Sequence, residues 1–66
     1  MSERAWVEFE DVEAISQTAL ALKVIVEEKT VWIPQSQISE NSEVWKNGQK
    51  GTLIVTEWIA EEKGLI

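Results

Sequence analysis

The chain has 66 residues, 44% of them hydrophobic, and a formal net charge of −6 from twelve Asp and Glu against six Lys and Arg. That length allows a single domain, 1–66, burying only about 60% of the surface its unfolded chain exposes, and the apolar content excludes intrinsic disorder. The absence of Cys and His excludes disulfides and zinc sites built on thiolate or imidazole, and the surplus of acid argues against nucleic acid as a partner, because affinity for phosphate rests on Lys and Arg displacing counterions.

Along the chain, Met1-Ser2-Glu3-Arg4 lacks the basic and apolar regions of a secretory leader, and no apolar run nears the roughly 18 residues of a membrane span. The expectation is a cytoplasmic protein with no membrane partner. Val7-Glu8-Phe9-Glu10 alternates as a strand, which Val12 and Ile15 extend past a bend. Ser16-Gln17-Thr18 reads as a turn. Leu20, Leu22, Val24 and Val26 then line one face of a second strand, with Ala21, Lys23 and Ile25 on the other. Glu27-Glu28-Lys29 reads as a hairpin connection without the Gly or Asn of the tightest turns. Thr30-Val31-Trp32-Ile33 returns as a third strand, ended by Pro34, which cannot donate to a central ladder.

Residues 34–38 read as one helical turn with Pro at its first position, followed by a polar loop at 39–42. Glu43-Val44-Trp45 reads as a short strand, residues 47–51 as a Gly-containing turn, and Thr52-Leu53-Ile54-Val55 as a strong β run. Thr56 is placed as the N-cap of a helix over 58–63, with Glu57 at its positive end. Gly64 stops that helix, and Leu65 is placed to fold back on it. The expected fold is mainly β (α+β): a small five-stranded SH3-like or OB-like barrel with a short C-terminal helix, because closure removes exposed strand edges. A hairpin meander packed on the helix is the rival.

The chemistry available to such a domain is narrow. Without Cys, His or Tyr, and with serines 2, 16, 36, 39 and 42 outside any nucleophile motif, nucleophilic catalysis has no machinery, and Ser36 reads as a turn residue. Glu8 with Glu10, and Glu61 with Glu62, are paired carboxylates, but solvated strand and helix faces explain them. No calcium loop occurs, and Lys46-Asn47-Gly48-Gln49-Lys50-Gly51 precedes a strand rather than the helix a phosphate loop requires. The expectation is a non-enzyme with no cofactor, no metal and no catalytic residue.

Four tryptophans remain. Trp45 and Trp58 read as core residues. Alternation sends Trp32 outward, opposite Val31 and Ile33, and places Trp6 on the face of Glu8 and Glu10. Exposed Trp beside charge resembles the centre of an interface. The excess acid is confined to residues 1–13 and 56–66, since bases and acids balance between them. The candidate partner-binding set is therefore Trp6, Glu8, Glu10, Asp11, Glu13 and Trp32, with Glu57, Glu61 and Glu62 joining if the chain ends pack together.

Residues 31–38, Val-Trp-Ile-Pro-Gln-Ser-Gln-Ile, and residues 51–65, opening Gly-Thr-Leu-Ile-Val-Thr-Glu-Trp, resemble a family of small uncharacterised bacteriophage and prophage proteins with a WIP-x-SQI segment and a GTL-V-x-EW ending. With Ser42-Glu43-Val44-Trp45 the resemblance spans 31–65. It implies a phage accessory role and supplies no functional residue. The resulting expectation is an acidic accessory protein that binds a protein with a basic surface, in one version an inhibitor of host defence whose acidic face imitates DNA. The alternatives are a single-strand nucleic-acid module of replication or recombination, and a structural, self-associating phage component forming a homo-oligomer.

Overall fold

The computed structural model describes residues 5–66, so the expectations resting on Met1–Arg4, including the charges of Glu3 and Arg4, lie outside the described residues. Its chain order is β1 (Trp6–Gln17), β2 (Ala21–Val26), β3 (Lys29–Pro34), a 3-10 turn at Gln35–Gln37, β4 (Lys50–Thr56) and α1 (Glu57–Glu62). The strands form a four-stranded antiparallel sheet in the order β3-β2-β1-β4. The fold is mainly β with a short C-terminal helix, and the sheet is open.

Alternation explains the packing. Phe9, Val12 and Ala14 of β1, Leu22, Val24 and Val26 of β2, Ile33 of β3, and Leu53 and Val55 of β4 share a buried face. Within β2 and β4 these residues recur every second position, as side chains on one face of a strand must, and burial of each of the Val, Leu, Ile and Phe side chains contributes roughly 1.5–3 kcal/mol. β1 is long enough to serve both neighbours because it bends twice. One irregularity lies between Phe9 and Val12, opposite β4, where Asp11 adopts φ 59°. The second lies between Ala14 and Ser16, opposite β2. Each extra residue bends the strand and resets which side chains face inward. The expected extension past a bend is thus correct, but Ile15 is exposed where it was expected on the core side.

β2 begins one residue later than the alternation predicts. Leu20 belongs to the turn, where the Thr18 hydroxyl accepts the amides of Leu20 and Ala21, and its side chain is 80% exposed instead of facing the core. The β2–β3 hairpin is tighter than expected. Val26 pairs with Lys29, so Glu27 and Glu28 alone make the turn, at φ 48° and 76°.

The expected strand at 43–45 is not formed. An irregular segment runs beside the outer edge of β4 instead: Ile38 bridges Val55, the Ser39 amide donates to the Ile54 carbonyl at 2.8 Å, and the Glu43 amide to the Thr52 carbonyl at 2.9 Å. Buried Ser42 replaces one ladder bond, its hydroxyl accepting the Ile54 amide at 3.0 Å and donating to the Val44 carbonyl at 2.8 Å. Val44 is fully buried. The segment therefore covers the β4 edge without ladder geometry, which is why four strands stand where five were expected.

The helix ends as the sequence requires. The Thr56 hydroxyl accepts the Ile59 amide at 3.2 Å. At the other end Gly64, at φ 71°, donates to Glu61, and Leu65 donates to the Ala60 carbonyl at 2.8 Å, the pairing of a Schellman motif. The Lys29 ammonium donates to the Gly64 carbonyl at 2.6 Å, joining the β2–β3 hairpin to this end. A helix this short is held by its caps and by Ile59 and Ala60, which are buried.

Candidate functional site

All four tryptophans are substantially exposed: Trp6 by 47%, Trp32 by 38%, Trp45 by 50% and Trp58 by 57%. Trp6 and Trp32 project outward as alternation requires. Trp45 and Trp58 correct the expectation that they fill the core. In each case a neighbour takes the inward position, Val44 beside Trp45, and Ile59 with Ala60 beside Trp58. A helix of under two turns presents one narrow stripe to the sheet, and its caps turn that stripe to Ile59 and Ala60. The core is complete without any indole. Trp is among the residue types enriched at the energetic centres of protein interfaces, and large exposed indoles keep apolar surface in water at a cost.

Three shallow grooves meet at residues 35–41, and each contains one of these rings. The first, about 410 Å³, is lined by Ala5, Gln37, Thr56, Glu57, Trp58 and Glu61. The second, about 650 Å³, holds Trp6, Glu8, Ile38, Ser39, Glu40, Asn41 and Ile54. The third, about 340 Å³, holds Gln35, Ile38, Ser39, Glu40 and Trp45. The sequence folds this way because Pro34 ends β3, the following 3-10 turn carries the chain over the sheet, and Ile38 docks on Val55. Trp6 reaches the same place by pairing with Thr56.

The predicted acidic set is divided. Glu8, Glu10 and Asp11 gather with Glu27 around a further groove of about 490 Å³. Glu8 also belongs to the Trp6 groove. Glu13 is apart, paired across the strands with Ile25 and Lys50. Trp32 stands on β3 with the Lys23 ammonium 5.7 Å from its ring centroid. The Glu57 amide donates to the Ala5 carbonyl at 2.8 Å, so the start of α1 lies against the start of β1, but Glu57 and Glu61 line the groove of Trp58, their neighbour on the same helix, and neither they nor Glu62 line the groove of Glu8, Glu10 and Asp11.

Glu27 and Glu40 were absent from the predicted set. Glu27 is brought to Glu10 and Asp11 by the tight hairpin, and no local pattern signals that. Glu40 lay in a polar loop with nothing to mark it. Trp45 was within reach, because the alternation argument applied to Trp32 also turns Trp45 outward once Val44 is inward. Among the described residues no group of three acidic side chains is placed to hold a metal ion, and no helix is long and apolar enough to cross a membrane. Comparison with protein-family models, curated proteins and solved structures yields no match.

Proposed function

We propose that this protein acts by binding another protein through an acidic surface set with exposed tryptophans, as a small phage-type accessory factor. The observation that supports this reading is the exposure of all four tryptophans on a domain whose core is complete without them. The net charge of −6 selects a basic partner surface. The phage assignment draws on the WIP-x-SQI and GTL-V-x-EW segments, whose Gln37 and Thr56 side chains are hydrogen-bonded in this fold. In its most specific form the protein inhibits a host defence system, the carboxylates Glu8, Glu10, Asp11 and Glu27 standing in for DNA phosphates against a nucleic-acid channel. The same reading takes the fold as a small SH3-like or OB-like barrel, on the support of the 38–44 segment running alongside β4.

Capture of partners from host cells at stepped ionic strength tests the reading. A specific partner retained at low salt and released as screening rises supports it, because exposed charges lose their reach beyond a Debye length of about 8–10 Å. A partner held equally at all salt concentrations counts against acid-driven recognition. A second reading, a single-strand nucleic-acid module, draws on the same indoles, which stack on bases. Absence of tryptophan quenching by single-stranded DNA at low salt removes it.

A further inference from the structure

We propose that Trp6 and Trp58 are adjoining sockets for the cationic side chains of one partner, arginine above lysine, on either side of the Gln37–Ile38 ridge. This rests on the protein-binding reading above and names the chemistry of its site. Two of the four indoles already carry a cation of this chain: the Lys23 ammonium lies 5.7 Å from the Trp32 centroid, and that of Lys46 5.2 Å from the Trp45 centroid. Among the described residues no lysine or arginine stands over Trp6 or Trp58.

Their grooves are furnished for one. Beside Trp58 stand Glu57 and Glu61, and beside Trp6 stand Glu8 and Glu40, with no basic side chain among the described residues lining either. An indole face attracts a cation through its quadrupole, and a carboxylate at its edge adds a directed charge-assisted bond. Guanidinium satisfies both at once, stacking flat while its N–H groups fork to the carboxylate, whereas ammonium is a strongly hydrated point charge.

The two sockets adjoin because Trp6 pairs with Thr56, whose hydroxyl binds Gln37 of the first groove, while Ile38 lines the second. A nucleic acid entering the same grooves meets four carboxylates with its phosphates. A basic protein segment meets them with opposite charge.

The test is an NMR titration of the whole chain with a short acetylated, amidated arginine peptide. The four indole N–H signals are assigned by single Trp→Phe substitutions. Lysine and glutamate peptides and oligothymidine serve as parallel probes. The expected result is movement of the Trp6 and Trp58 indoles with Trp32 unmoved, in the order arginine, lysine, glutamate. The Trp6→Ala/Trp58→Ala pair weakens arginine binding by about tenfold, from threefold to fivefold per ring. Glu8→Gln/Glu57→Gln/Glu61→Gln, which leaves every apolar contact in place, weakens it comparably and serves if the tryptophan variant is unfolded.

Arginine binding that leaves both indoles unmoved overturns the proposal, as does no arginine binding, or oligothymidine moving these indoles more than arginine. Partner capture distinguishes the two levels. A partner kept by the Glu8/Glu57/Glu61 variant and lost on charge reversal at Glu10 and Asp11 overturns the sockets and leaves acidic protein binding standing. Absence of any salt-sensitive partner overturns the broader reading.

Discussion

The Thr56 hydroxyl donates to the side-chain carbonyl of Gln37 at 2.7 Å while its oxygen accepts the Ile59 amide at 3.2 Å. One nearly buried side chain thus starts the helix and ties it to the turn after β3, so the Trp58 groove is positioned from both sides. Thr56→Val keeps the shape and removes both bonds, leaving the Ile59 amide and Gln37 without this partner. The expected cost is about 1–2 kcal/mol in urea unfolding, with Thr56→Ser recovering most of it. An unchanged urea midpoint for the valine variant rules out this role.

The Glu27–Glu28 turn holds two L-residues at positive φ, where Asn and Gly are favoured. Glu27→Asn with Glu28→Gly is expected to raise stability by about 1–2 kcal/mol. In a domain of this size each kcal/mol raises Tm by roughly 4–8 °C. A lower Tm contradicts the two-residue turn.

Gly51 pairs with Val12 at the β1 irregularity with φ 151°, and a Cβ there meets the Glu43 carboxylate at 2.6 Å. That carboxylate oxygen accepts the Thr52 amide at 2.9 Å. Gly51→Ala is expected to destabilise by about 1 kcal/mol or more, from the backbone strain together with the displaced hydrogen bond. Hydrogen exchange at the Thr52 amide reports the second effect, and protection unchanged from the parent speaks against it.

Leu53 and Trp58 make a direct contrast, since one is fully buried and the other largely exposed. Leu53→Ala is expected to cost about 2–5 kcal/mol, enough to unfold much of a domain this small. Trp58→Ala and Trp45→Ala, which lose only the covered half of a ring and leave no buried cavity, are expected to cost less, about 1–2 kcal/mol. A large loss on replacing either tryptophan returns that ring to the core.

What the sequence determined by itself is local in origin. A period of two placed Leu22, Val24, Val26 and Ile33 inward, because side chains of a strand point alternately to its two faces, whereas the continuous apolar run Leu53-Ile54-Val55 marked a strand without choosing its buried face. Thr56 and Gly64 marked the helix ends, because a short helix must satisfy its end groups nearby. Alternation also carried Trp6 and Trp32 outward. The tertiary structure decided everything that depends on residues far apart in the chain. Two irregularities in β1 turned Ile15 out, and packing of the helix on the sheet chose Ile59 and Ala60 over Trp58. The 38–44 segment took the place of a fifth strand, joining Glu40 to Trp6, and the β2–β3 turn carried Glu27 to Asp11. A residue's own neighbours fix the direction of its side chain within a strand. Which surface that side chain joins depends on how the bent sheet, the helix and the 38–44 segment pack around one core, and no stretch of sequence contains that packing.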